Sequence, residues 1–330
     1  MSNPENEHLS PKEKAGIYSI LSVILKTGVS LPVALQSQYK VSKNDREKRV
    51  FRRLVLGADK GRDISESLSA IPGFSKMEIR LIKAAERTGN VPGILKDLAE
   101  YNESLDMFLL RLKRAVFIPA ATFTAACFIA AFPALIKYGF ARFFFEASIY
   151  LAAAVFAFGG AFILLRWITK NSGRSRKAAA ALYTIPGWGG IARKLDLYRF
   201  ARIMSLSISS GLGISECLRL SSGGARSCIL KEDIIKAGYL IEKRGMTLRE
   251  AFAASEALGD LAKKMLFGGD ISGTTDLMTA KLADYLYEEL NSDIKVLVKI
   301  VSIASTVLVA LFLIARILML ASDIFSIKSI

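Results

Sequence analysis

The hydrophobic residues of this chain fall into two regimes. Over most of its length they recur at helical spacing among charged and polar positions, but in three stretches they run on almost without interruption. The first, Val116 to Ile136, carries no charge over about 21 residues, or roughly 31 Å as a helix, enough to cross the hydrocarbon core of a bilayer. The second, Ala147 to Leu165, is also uncharged and closes on Arg166 and Trp167. The third, Val296 to Ala321, holds Lys299 near its start and Arg316 towards its end, with Ile300 to Ala315 uncharged between them. Long cationic stems near helix ends reach the interface, so neither charge defeats a span. Pro119 and Pro133 lie near the ends of the first stretch, where membrane helices tolerate them. The pattern predicts three transmembrane helices, over 116–136, 147–165 and 296–321. The polar start, Met1 to Pro11, does not read as a cleavable signal peptide.

Outside these stretches the texture is helical. Ile17, Ile20, Leu21, Ile24 and Leu25 share a face, as do Phe200, Ile203, Met204 and Leu206, and strand-like alternation is absent. Capping boxes are expected at Ser10 with Glu13, Asp63 with Glu66, Ser75 with Glu78 and Thr247 with Glu250. Gly28, Gly89, Gly211 and Gly273 stand where amphipathic runs stop, the place of a left-handed C′ residue. Asn90 reads as the next N-cap, with Pro92 in the first turn. From there a helix is expected to continue without a breaker into the first span.

The chain also repeats itself. Ala85-Glu-Arg-Thr-Gly89 and Gly269-Asp-Ile-Ser-Gly273 lie 184 positions apart (85 to 269). The same offset joins Leu98-Ala-Glu-Tyr101 to Leu282-Ala-Asp-Tyr285 and Gly61-Arg-Asp-Ile-Ser-Glu66 to Gly245-Met-Thr-Leu-Arg-Glu250. Thr27-Gly-Val-Ser-Leu31 meets Ser210-Gly-Leu-Gly-Ile214 one position short of it. The predicted fold class is therefore an all-α membrane protein with two homologous cytoplasmic helical-bundle domains and three transmembrane helices. Its segments are a first repeat over 1–115, spans at 116–136 and 147–165 joined by a short external loop at 137–146, a second repeat over 166–295, the third span at 296–321, and an external tail at 322–330.

Charge orients this arrangement. Arg111, Lys113 and Arg114 precede the first span, and Arg166, Lys170, Arg174, Arg176 and Lys177 follow the second. The positive-inside rule then places both repeats and the N-terminus in the cytoplasm and the C-terminus outside. Tyr138, Tyr150 and Trp167 occupy interfacial positions. The net charge of +15 is shared evenly between the repeats, each with 20 Lys/Arg against 14 Asp/Glu over 1–115 and 166–295. That pattern argues against a single nucleic-acid-binding stripe. Cys127, Cys217 and Cys228 form no CxxC pair, so reduced thiols are the expectation.

The catalytic inventory is thin. The single histidine, His8, lies in the polar N-terminal tail, which removes Ser-His and Cys-His pairs and the common histidine metal sites. No GxxxxGK[ST] loop is present, and Gly211-Leu-Gly213 has Glu216 where GxGxxG requires a third glycine. Neither enzyme activity nor a cofactor is expected. The first two spans contain only Thr, Ser and Cys as polar residues, which gives a small membrane transporter, the rival class, little to work with.

The repeated glycine motifs, Leu95-Lys-Asp-Leu-Ala-Glu-Tyr101, and Ile185-Pro-Gly-Trp-Gly-Gly-Ile-Ala-Arg-Lys194 followed by Tyr198-Arg-Phe-Ala-Arg202 together resemble the type II secretion system F family, the inner-membrane platform proteins of type IV pilus and type II secretion machines. The resemblance spans about 16–322. The motif copies depart from a Gly-Glu-x-Ser-Gly pattern, with Ala85 for its first glycine and Asp270 for its acid. The resemblance implies a multi-pass protein of the bacterial inner membrane, with its C-terminus in the periplasm, that couples a separate hexameric cytoplasmic ATPase to polymerisation of pilins. The resemblance favours a type IV pilus-like system, of the type IVb or conjugative thin-pilus kind, with a type II secretion system and its pseudopilins as the alternative. Other inner-membrane assembly proteins and further copies of the chain are implied partners, and nucleic acid is not.

Several residues stand out as candidate contacts. Glu86, Thr88 and Gly89, with Asp270, Ser272 and Gly273, belong to the two motif copies and either meet a partner or support their own turns. The basic run Lys43, Arg46, Lys48, Arg49, Arg52 and Arg53 either docks an acidic partner or anionic headgroups or is a solvated helix face. Arg316 is either a membrane-level contact for a pilin carboxylate or a snorkelling side chain.

Overall fold

The computed structural model describes the backbone of residues 9–173 and 175–328. It describes their side chains except at 115, 116, 118, 119, 136–138, 154, 157, 158, 160–170 and 320–328. His8, Arg174 and the side chains of Tyr138, Arg166, Trp167 and Lys170 therefore lie outside the described residues. The described chain is helical and without strands. The first repeat supplies α1 (Pro11–Lys26), α2 (Leu31–Val41), α3 (Asp45–Ala58), α4 (Ile64–Ser69), α5 (Lys76–Thr88) and the start of α6 (Val91–Tyr138). Then come α7 (Phe140–Asn171), α8 (Arg176–Thr184) and α9 (Trp188–Ser209). The remaining helices are α10 (Ile214–Ser221), α11 (Cys228–Arg244), α12 (Leu248–Phe252), α13 (Asp260–Ser272) and α14 (Thr275–Lys328).

The helix ends carry the repeat. α4, α5 and α6 begin 184 positions before α12, α13 and α14, and α2 and α3 begin 183 before α10 and α11. Gly28, Gly61 and Gly89 have positive φ, as do their counterparts Gly211, Gly245 and Gly273. Three of the four expected capping boxes form, at Ser10 with Glu13, Ser75 with Glu78 and Thr247 with Glu250. The fourth does not. Asp63 precedes α4 but its side chain makes no capping hydrogen bond, and Glu66 pairs instead with Arg62 at 3.6 Å.

Residues Met1–Phe108 and Ala192–Glu288 form one compact unit, so the two repeats share it. In the first repeat Ile17, Tyr18 and Leu21 from α1 are fully buried along with Phe51, Leu81 and Leu98. In the second, Phe200, Ile203, Cys217, Ile234, Phe252 and Leu266 are equally buried. Their removal from water is the main favourable term holding such short helices in place. The repeats meet through Tyr101 of α6, stacked on Tyr198 of α9 with ring centroids 6.3 Å apart. Phe108 adds an edge contact to Tyr198 at 5.6 Å, and Arg202 pairs with Glu100 at 3.0 Å.

The second unit comprises Leu109–Ile191 and Glu289–Ile330. Here α6 and α14 run parallel, with Arg111 hydrogen-bonded to Asn291 and Phe123 stacked on Phe312 at 6.0 Å. α7 returns antiparallel to both, setting Tyr150 edge-on to Phe312 at 5.5 Å. The connection expected over 137–146 is shorter than that. α6 reaches Tyr138, α7 begins at Phe140, and Gly139 alone, at φ 81°, turns the chain. A left-handed residue between two helices costs glycine least. Among the described residues one helical segment, Thr275–Met319, is long and apolar enough to cross a membrane, and Ala120–Leu135 is a shorter apolar helix. Phe117, Phe156 and Leu311 point large apolar side chains outward. In the Pro-Gly-Trp-Gly-Gly segment, a Cβ on Gly189 would lie 2.1 Å from the Tyr183 carbonyl oxygen, so α9 approaches α8 more closely than any side chain permits.

Candidate functional site: a basic face and two glycine turns

α3 buries Val50, Phe51, Leu54 and Gly57 and turns its arginines outward. Arg46 is held by Glu13 at 3.5 Å, and Glu13 also accepts hydrogen bonds from the Ser10 amide and from Asn44. Burial works to raise the Glu13 carboxyl, but these hydrogen bonds and the Arg46 charge prevail and hold it below its ordinary value. Arg53 donates to the Ala70 carbonyl at 2.9 Å, at the C-terminal end of α4. Lys48 lies over the Tyr39 ring, 5.6 Å from its centroid. Arg49 and Arg52 are exposed. Arg46, Arg49 and Arg53 line a groove together with Leu9, Val50, Ile71 and Pro72. Arg53 also borders a second groove that Lys60 and Arg62 flank. Three arginines of the run thus share a groove with apolar side chains, and Arg49 and Arg52 are open to solvent. The second repeat has no such face. Its α11 carries no arginine before Arg244 and mixes Lys231 and Lys236 with Glu232 and Asp233.

The two glycine turns are built alike but used differently. Gly89 and Gly273 end α5 and α13 in left-handed conformation, at φ 77° and 69°, and their amides bond back to the Ala85 and Gly269 carbonyls. The hydroxyls of Thr88 and Ser272 also bond back into their own helices, to Ala85 at 3.3 Å and to Gly268 at 2.8 Å. Ser272 further meets the Thr274 hydroxyl at 2.6 Å. Glu86 accepts from the Ser65 amide at 2.9 Å and from its hydroxyl at 2.5 Å. It thereby supplies α4 with the N-terminal acceptor that Asp63 does not. Asp270 is partly exposed and caps no helix, because Thr247 and Glu250 already cap α12.

Arg316 finds its partner inside the chain. Its guanidinium pairs with Glu146 of α7 at 2.5 Å, donates to the Ala130 carbonyl at 3.4 Å, and sits 5.6 Å from the Tyr150 ring centroid. Glu146 also faces Arg142 at 3.8 Å. Neither of the sequence readings of Arg316 includes this internal pair.

Two polar sites escaped the sequence reading. Lys14 pairs with Glu78 at 2.9 Å, with Glu78 almost fully buried, and Asn102 donates to the same carboxylate at 3.3 Å. Burial and the Glu78 charge push the Tyr18 phenol well above its usual range. In the second repeat, buried Asp196 accepts from the Arg226 and Ser227 amides at 3.0 Å each, and Arg199 lies 3.6 Å away. The capping box at Ser75 marked Glu78 in the sequence, but no local signal ties Glu78 to Lys14, 64 positions earlier. Cys127, Cys217 and Cys228 are buried. Burial, helped by the neighbouring Glu216 charge, pushes Cys217 up to about 12, far from a reactive thiolate. Among the described residues no group of His, Cys, Asp and Glu is placed to hold a metal.

Comparison with known proteins agrees with this architecture. The profile described as Type II secretion system (T2SS), protein F, matches residues 17–136 and again residues 200–321. The two matches start 183 positions apart (17 to 200), the offset of the internal repeat. The chain is 25% identical over 291 residues to the type IV pilus assembly protein PilC of Thermus thermophilus, covering 82% of this chain and 71% of that one. It is 23% identical over 296 residues to the type II secretion system protein F of Vibrio cholerae, covering 84% and 73%. To the type IV pilus assembly protein TapC of Aeromonas hydrophila it is 23% identical over 304 residues, covering 86% and 73%. With both repeats matched over more than half the chain, the protein belongs to the type II secretion system protein F family, the platform proteins of type IV pilus assembly and type II secretion.

Proposed function

We propose that the chain is the inner-membrane platform of a type IV pilus-like assembly machine. It crosses the membrane three times, along α6, α7 and α14, with both repeats in the cytoplasm and the C-terminus outside. It performs no catalysis and couples the stroke of a separate cytoplasmic ATPase to pilin addition. The observation that carries this reading is the continuity of α6 and α14. Each leaves a repeat and runs into an apolar stretch with no break, over 48 and 54 residues. A displacement of the bundle therefore travels along a stiff rod instead of being lost in a loop. The basic face of α3 is the surface offered to the ATPase, because it is exposed, is confined to one repeat and sets charge beside apolar side chains. Relatives named for type II secretion are about as similar as those named for pili, which gives the second reading, the same machine acting on pseudopilins.

The test uses the full-length protein extracted in detergent and the ATPase of its own system. Arg49 and Arg52 are the residues to reverse, since Arg46 and Arg53 also hold the fold. Arg49→Glu with Arg52→Glu is expected to cut co-purification of the ATPase by about tenfold or more and to abolish fibres while pilin levels stay normal. Undiminished ATPase recovery would remove the basic face from the mechanism, and normal fibres in a strain lacking the gene would end the platform reading.

A further inference from the structure

The contact between the two repeats is one-sided. Tyr101 of the first repeat is 5% exposed because it stacks on Tyr198 of the second. Glu100 meets Arg202, and the Thr88 methyl group lies 3.2 Å from where a Cβ on Gly211 would be. A two-fold relation between the repeats would repeat every one of these contacts the other way round. Tyr285 would cover Ala15, Asp284 would face Ser19, and Ser272 would approach Gly28. None of this happens. Tyr285 is 47% exposed, Asp284 and Ser19 are exposed, and a Cβ on Gly28 would meet nothing within 4 Å.

Each half of the contact therefore has an unused duplicate. On α14 the duplicate of the Tyr101 face holds Tyr285 and Leu277, both about half exposed, with Asp284, Glu288 and Lys281 around them. On α1 the duplicate of the α9 face is a shallow strip of small residues. A Cβ on Gly16 would meet nothing within 4 Å, Ser19 is open, and Val23 is 58% exposed where its counterpart Leu206 is 2% exposed. Lys12 and Lys26 are exposed on the same helix, opposite in sign to Asp284 and Glu288. One face presents an aromatic knob with two carboxylates, and the other presents a small-residue strip with two ammonium groups.

We propose that these two faces dock on each other in neighbouring copies of the chain, so that Tyr285 of one copy seats on the Gly16–Ser19–Val23 strip of the next. The chain already forms this type of contact internally, and both surfaces come from the same repeated helices. The resulting contact is heterologous, α14 to α1. Such contacts propagate from copy to copy and close as rings or continue as open arrays, in contrast to the self-complementary patch of a two-fold dimer. The proposal stands apart from ATPase coupling and survives if the basic face of α3 binds nothing.

The experiment uses two differently tagged full-length chains co-expressed in membranes, one with Ser19→Cys and the other with Tyr285→Cys. Splitting the cysteines between chains excludes a cross-link within one molecule, and the native cysteines are buried. Mild oxidation is expected to give a covalent dimer carrying both tags, at a yield well above that of either variant with itself. In detergent, Tyr285→Ala is expected to weaken self-association about thirtyfold, the loss of one central aromatic anchor. Its side chain is half exposed in the single chain, so this substitution leaves the fold intact. The proposal fails if mixed-tag dimer is absent from properly inserted protein, if either single variant links to itself as efficiently, or if Tyr285→Ala leaves self-association unchanged.

Discussion

The two repeats share helices, turns and glycines, yet they fill the middle of the bundle by opposite means. In the first, Lys14, Glu78 and Asn102 form a buried polar cluster beside Tyr18. At the equivalent positions the second has Leu197, Ala262, Leu286 and Ala201, all buried. One architecture thus tolerates either an ion pair or apolar packing at its centre, so the fold itself does not require the charges. Buried pairs of this kind often add little net stability, because taking both ions out of water offsets their attraction. What they do create is a strong penalty for losing one partner.

That comparison predicts the largest effect. Glu78→Ala strands a largely buried ammonium group and removes the carboxylate half of the α5 capping box, at a cost of about 3–5 kcal/mol. Replacing the polar cluster with apolar side chains, using the second repeat's residues in Lys14→Leu, Glu78→Ala and Asn102→Leu and keeping the ring with Tyr18→Phe where the second repeat has Ala201, is expected to recover most of that loss. Urea unfolding of the detergent-solubilised protein, followed by circular dichroism, measures both variants. If the fourfold variant is as unstable as the single one, the first repeat depends on its charges in a way the second does not.

The glycine turns sharpen the contrast at smaller scale. Glu86→Ala removes the side-chain acceptor at the start of α4 and should cost about 1 kcal/mol, the usual value of a helix cap. Asp270→Ala should change stability by no more than about 0.5 kcal/mol, as substitution of a surface side chain outside any cap does. Asp63→Thr in the Glu86→Ala background should regain part of the loss, because a threonine there can form with Glu66 the reciprocal box that Thr247 forms with Glu250. Equal effects at 86 and 270 would mean that the two acids have the same role after all.

Much of this was legible in the chain, for a physical reason. Helix starts and stops depend on a few adjacent residues, so Ser10, Ser75, Thr247 and the glycines at 28, 89, 211 and 273 announce themselves locally. The repeat is legible too, because equal offsets survive even where residues differ. Asp63 shows where local reading fails, since the acceptor for α4 comes from Glu86, 21 positions beyond Ser65. The Lys14–Glu78 pair and the Tyr101–Tyr198 stack are likewise invisible, because each joins distant residues whose types are ordinary. For Arg316 an unusual charge was visible, whereas Glu146, 170 positions earlier, was not identifiable as its partner.

The smallest predicted effect concerns pH and a task that both repeats perform. Glu13 and its counterpart Asp196 each tie the first helix of a repeat to the start of the third. Asp196 does so through two backbone amides, those of Arg226 and Ser227. Glu13 reaches α3 through the side chains of Asn44 and Arg46 while also holding the Ser10 amide, and these partners lower its folded pKa. The unfolded chain therefore binds the proton more readily than the folded one. The stabilisation is complete above the ordinary carboxylate range and disappears as pH falls through the lowered folded value. Glu13→Gln keeps the shape of the side chain but removes its charge. Wild type should be the more stable of the two near neutrality, and the gap should close as pH drops from about 7 to about 3. Unfolding midpoints of both proteins across that range decide the matter: a gap that is constant with pH would assign the contribution of Glu13 to packing and not to its charge.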